Sequence, residues 1–125
     1  MKIAVIIVRT LVGLMFLFSS VVVLFNLVPP QELKGGIKTF MDGVTASHYL
    51  LPLIKITELL CAIAFITGRF VALATVIIFP IMINIVFFHA FLGPSELPTV
   101  IVLLLGVLFL AYANRKSYTP LFNAK

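Results

Sequence analysis

Three formally charged side chains, Arg9, Lys55 and Glu58, stand inside long apolar runs of this sequence. Each costs ~2.5 to 3.5 kcal/mol at the centre of a membrane helix, so each is expected to turn inward and find a partner. Lys55 and Glu58 are three residues apart, share a helix face and can pair directly. In such a group the carboxyl of Glu58 would hold or exchange a proton, and Lys55 and Arg9 would hold an anionic oxygen. That is the chemistry of a small-molecule binding site, and no residue is assigned a catalytic role.

Two further polar residues join the candidates. Asn84 lies one turn after Pro80, on the same face and at about the depth of Lys55, so its amide is expected to meet the Lys55 ammonium. Pro80 lacks an amide hydrogen, frees the carbonyl of Val76 and predicts a kink. His89 is about 140° round the helix from Asn84 and is not expected to share one wall with it. Axial ligation of a haem by His48 and His89 is the weaker reading of the two histidines, against two side chains that merely lie near the interface. Cys61 reads as a small buried packing residue, and Ser19, Ser20 and Thr57 as side chains that satisfy backbone carbonyls of their own helices. A purely architectural role for the three charges, fixing helix register, stands beside the ligand-site reading.

The elements that position these residues follow from composition. Of 125 residues, 62% are hydrophobic and 10% charged, with a mean hydropathy of +1.26. A soluble domain carries about 25% charged residues, so the solvent here is a bilayer. Apolar runs at 3–28, 50–66, 70–92 and 97–113 predict an all-α, four-helix transmembrane bundle in a single membrane domain. The first run is read as a retained helix rather than a cleaved signal, because it is long, is interrupted by Arg9 and is followed by no small-x-small site. Lys2, Arg9, Arg69, Arg115, Lys116 and Lys125 fall on one side, against Lys34 and Lys38 on the other, which orients both termini to the cytoplasm; Glu32, Asp42 and Glu96 fall opposite. Short connections at 67–69 and 93–96 make the last three spans antiparallel neighbours. In the longer first loop, Ile37, Phe40, Met41 and Val44 recur at helical spacing and predict a short interfacial helix that could lid the bundle.

Depth arithmetic brings the charges together. Arg9 is about 9 Å in from its end of the first span and Glu58 about 15 Å from the turn at Gly68, a difference within an arginine's reach. Arg9, Gly13 and Ser20 form one stripe that is expected to pack on the Lys55 and Glu58 face, giving an Arg9, Glu58, Lys55 cluster. The basic residues flank spans instead of forming a stripe that would track a phosphate backbone, so nucleic acid is not a partner. One cysteine excludes a dithiol centre within this chain, and there is no glycine-rich dinucleotide fingerprint and no metal-ligand cluster.

The segment Leu51 to Leu60 with its Lys55-x-x-Glu58, then Thr67-Gly68-Arg69-Phe70, Pro80, Asn84 and Phe88-His89, resembles the DoxX-like family of small four-helix membrane proteins. The opening from Arg9 to Ser19 is similar to that family's first helix, and the likeness spans most of residues 9 to 94. Ser20 and Val23 stand where the family often has a glycine and a lysine, so the role of that lysine is not carried over. The resemblance implies a multi-pass protein of the bacterial inner (cytoplasmic) membrane associated with thiosulfate:quinone oxidoreduction or membrane oxidoreductase assemblies. Two functions then compete. One is a non-catalytic subunit binding a quinone- or lipid-like molecule through Arg9, Lys55, Glu58, Asn84 and His89, with no covalent cofactor. The other is a scaffold or assembly factor of a larger membrane complex. Autonomous turnover or transport is the weakest class, although a homodimer would supply the missing pathway.

Overall fold

The computed structural model describes residues 2–27 and 34–122, where the chain is helical apart from its turns. Its elements are α1 (Lys2–Leu24), α2 (Gly35–Ala46), α3 (Leu50–Thr67), α4 (Val71–Phe91), α5 (Leu97–Ala113) and α6 (Arg115–Tyr118), with 3-10 turns at Pro94–Glu96 and Thr119–Phe122. α1, α3, α4 and the stretch Pro94–Ala113 are long and apolar enough to cross a membrane. Val28, Glu32 and Lys125, which entered the reading of the first span and of the charge balance, lie outside the described residues.

Each helix stops for a local reason. α1 ends at Leu24, short of its apolar run, because Asn26 takes a left-handed conformation (φ 52). The Leu27 amide then donates to the Val22 carbonyl (3.0 Å) and the Asn26 amide to that of Val23 (3.4 Å), the paired bonds of a Schellman cap. α3 ends on left-handed Gly68 (φ 78), whose amide donates to the Ala64 carbonyl at 2.9 Å. α4 runs unbroken through Pro80.

The four spans close a ring in which α1 touches α3 and α5, and α4 touches the same two. Phe16, Phe65, Ile78, Met82, Val107 and Leu110 fill its centre. The tightest crossing is α1 on α3. A Cβ at Gly13 would lie 2.7 Å from Ile66 Cγ1, 3.1 Å from Phe65 Cβ and 3.2 Å from the Ala62 carbonyl oxygen. Only glycine lets the two backbones approach so closely. Chain direction places the N-terminus, the α3–α4 turn and the end of α5 at one end of the bundle, and α2 at the other.

α2 is the expected interfacial helix, and it lies across that other end. A Cβ at Gly36 would meet Leu92 at 2.9 Å, one at Gly93 would meet Ile37 at 3.0 Å, and the Phe40 and Phe88 rings stand 5.1 Å apart. Val44 is buried, while Lys38 and Asp42 pair on the exposed face at 2.8 Å. Ser47 joins α2 to α3: its hydroxyl donates to the Val44 carbonyl (2.6 Å) and accepts from the Leu50 amide (3.0 Å). At the opposite end the Tyr118 hydroxyl donates to the Ala72 carbonyl at 2.9 Å and folds the tail back onto α4.

Two glycines with opposite surroundings test this packing. Gly13→Ala must force α1 and α3 apart and is expected to lower stability by about 1–3 kcal/mol. Gly43→Ala, where nothing lies within 4 Å of the new methyl, should be neutral or stabilising by up to ~1 kcal/mol. Unfolding of both variants in one detergent measures the contrast.

Candidate functional site

The α1–α3 register set at Gly13 determines which polar residues meet. It puts Ser19 opposite Lys55, whose ammonium donates to Ser19 Oγ at 3.0 Å and to Glu58 Oε2 at 3.1 Å. The side chains of Lys55 and Glu58 are 15% and 2% exposed, so this is an ion pair inside a membrane span. Two of the three ammonium hydrogens are thereby used. The third, and Glu58 Oε1, make no hydrogen bond among the described residues. The pair therefore offers one free donor and one free acceptor.

Both groups face a cavity of about 890 Å³ between α3 and α4, roofed by α2 and reached by Val23 of α1. Its walls are mostly apolar, with Phe40, Val44, Ile54, Ile81 and Phe88 among them, and its polar positions are Lys55, Glu58, Asn84, His89 and Thr39. His89 Nδ1 lies 2.9 Å from the Ile85 carbonyl oxygen. A carbonyl only accepts, so Nδ1 carries the hydrogen and neutral His89 presents Nε2 as an acceptor. The Thr39 hydroxyl donates to the Gly35 carbonyl within α2 (3.3 Å). Asn84 makes no side-chain hydrogen bond among the described residues, although it sits midway along a span.

Lys55, Glu58, Asn84 and His89 thus share one cavity, whereas Arg9 stands apart, and the three-charge cluster reduces to a pair. A Cβ on Gly68 would lie 2.5 Å from Arg9 Nη1 and 3.0 Å from Cζ, so the guanidinium rests against the C-terminal cap of α3. There the unpaired carbonyls of the last turn and the negative end of the helix dipole favour a cation. Arg9 Nε is buried without a partner. Arg9 does not reach Glu58 because α1 and α3 are not flush. Arg9 is level with Gly68, so the residues before it extend past the α3–α4 turn, packed on α5 through contacts such as Val8 with Gly106.

Three other expectations change in detail. Asn84 does not bond Lys55, whose ammonium donates to Ser19 and Glu58 instead. Asn84 and His89 do line the same cavity, which is wide enough to wrap about half the circumference of α4. Ser19 is part of the polar group, while Ser20 turns into its own helix and donates to the Phe16 carbonyl at 2.7 Å. The spacing from Gly13 was the signal for Ser19: six residues on from the close contact, it faces the α3 residue about as far back from Ala62. His48 is exposed in the α2–α3 turn (φ 67), away from the cavity. Cys61 is buried with its thiol 3.7 Å from the Ala74 carbonyl oxygen, as a packing residue.

The model of the family described as DoxX matches residues 4–90, well over half of the chain, and the chain belongs to that family. No curated protein and no solved structure matches it.

Removing one member of a buried pair strands the other. Lys55→Met leaves Glu58 without its only charged partner among the described residues and should destabilise by roughly 3 kcal/mol. Lys55→Met combined with Glu58→Gln should recover most of that loss, and a double-mutant cycle by chemical unfolding measures the coupling.

Proposed function

We propose that this DoxX-family chain is a non-catalytic binding subunit of membrane redox chemistry, holding a quinone- or lipid-like molecule in the cavity beneath α2. In this reading it sits in the bacterial inner membrane with both termini in the cytoplasm and α2 on the far side. One observation carries it: a buried Lys55–Glu58 pair with an unused donor and acceptor opens on a largely apolar cavity of about 890 Å³. Sites for drug-sized ligands fall in the range of about 300–1,000 Å³, mostly apolar with a few polar groups that fix orientation. A pair that served only helix register would need no space beside it.

The roles follow from the geometry. Glu58 Oε1 accepts from the ligand or takes up its proton, the Lys55 ammonium donates to a ligand oxygen, and Asn84 offers an amide with both functions. His89, nearer α2, accepts through Nε2. Arg9 serves the end of α3 and lies outside the site. The chain has a single thiol, and among the described residues no group of histidine, cysteine, aspartate and glutamate is placed to hold a metal. In this reading the electrons for a bound quinone come from a partner, for which a membrane oxidoreductase subunit is the fitting class.

The test is retention and stabilisation. Native mass spectrometry of the purified protein should show a co-purified apolar molecule, and a short-tailed benzoquinone at about 100 times its Kd should stabilise the fold by about 2.7 kcal/mol. The variant Lys55→Met with Glu58→Gln should fold and lose both effects. An empty protein with no thermal shift would sink the binding reading, and a double variant that still supports its partner complex would favour the scaffold.

A further inference from the structure

We propose that the ligand is a single-chain amphiphile whose small polar head lies against Lys55 and Glu58, and whose tail runs away from α2 down the α3–α4 seam. This rests on the binding reading above and adds the ligand's shape, direction and route of entry. A second cleft of about 380 Å³ lies on that seam, between Leu60 and Ala64 on α3 and Leu73 and Ile77 on α4. It begins one turn beyond the first cavity, since Ile77 of the lower cleft and Pro80 of the upper are three residues apart along α4. From Phe70 to Ile77 it covers about 10 Å of the helix axis.

The two clefts differ in chemistry. Every hydrogen-bonding side chain in the lower one is already engaged: the Thr57 hydroxyl donates to the Leu53 carbonyl at 2.8 Å, and the Cys61 thiol lies 3.7 Å from the Ala74 carbonyl oxygen. Only hydrocarbon suits that space, while the free donor and acceptor are confined to the upper cavity. Apolar below and polar above is the complement of an amphiphile. The polar anchor lies deep: Lys55 is five and Glu58 eight residues into α3, about 8 and 12 Å from its start. A two-chain phospholipid keeps its charged headgroup at the interface, so a head at this depth is small and belongs to one prenyl or acyl chain. Leu73 and Ile77 are 56% and 45% exposed, and Pro80 and Asn84 are exposed with them. The seam is thus open sideways to the bilayer, and the ligand enters from lipid without passing α2.

The test fills the lower cleft and leaves the upper one intact. In lipid nanodiscs, a benzoquinone with a long prenyl tail and a tail-less benzoquinone are compared by protein-detected affinity, each corrected for its partition into the bilayer. The natural chain is expected to bind the tailed probe about tenfold more tightly or better, the equivalent of a couple of buried methylenes. Ala64→Phe, or Ala64→Leu should the larger ring disturb folding, should erase that advantage and leave the tail-less affinity unchanged. If the tail-less probe binds and the tail adds nothing, or if Ala64→Phe weakens both probes equally, this proposal falls while the cavity reading stands. A two-chain phospholipid retained in the site would also overturn it, and failure of the natural chain to bind either probe brings down both readings.

Discussion

Where α1 crosses α3, Gly13 lies against the Ala62 carbonyl and the Cβ of Phe65, and no other residue would fit without moving a helix. In a bilayer, lipid tails are as apolar as leucine, so helices associate through close packing and polar contacts rather than through the hydrophobic effect. A glycine notch of this kind therefore fixes register along the whole pair. Moving out from it in the two directions reaches Ser19 with Lys55, and Arg9 with Gly68. The positions of all three embedded charges follow from one contact between uncharged atoms.

That register resolves the charges in two ways. Arg9 reaches the cap of α3, where the negative end of the helix dipole lowers the cost of a cation. Lys55 and Glu58 have no such outlet. They sit midway along α3, and their partners are each other and one hydroxyl from α1. The second carboxylate oxygen of Glu58 makes no hydrogen bond among the described residues, and the pair faces open space. α2 covers that space through the Phe40–Phe88 and Ile37–Gly93 contacts, so the polar group is screened at the bundle end as well as within it.

Much of this was legible in the sequence, because a bilayer makes the periodic signal strong: the four spans, the lid helix and the Lys55–Glu58 pair follow from apolar runs and from three-residue spacing. What was not legible depended on comparing two helices. Counting inward from each helix end puts Arg9 beside Glu58, and that count assumes flush ends, which the Gly13 notch forbids. Ser19 and Ser20 are adjacent, and only the register tells which of them faces Lys55. The stop at Leu24 was readable in principle from Asn26 ahead of Pro29 and Pro30, but the apolar count ran over a single left-handed residue. His89 and Asn84 share a wall because the cavity is broad, and helical angles alone carry no information on breadth.

The distribution of small residues explains why the clefts lie where they do. Glycine closes two seams of the ring, Gly13 between α1 and α3 and Gly106 between α5 and α1, the latter within 3.0 Å of Val12 for an added methyl. The α3–α4 seam has alanines and Cys61 in place of glycine. A methyl holds the backbones apart, yet it is too short to fill the gap it creates, so a strip of unoccupied volume runs beside it. Pro80 lines the upper end of that volume, and its ring leaves the Val76 carbonyl without its helical donor. A bundle with glycine on every seam would be sealed, and one with leucine there would be filled. Alanine and proline on the α3–α4 seam, with glycine on the two seams of α1, leave the open volume beside the face that carries Lys55, Glu58, Asn84 and His89.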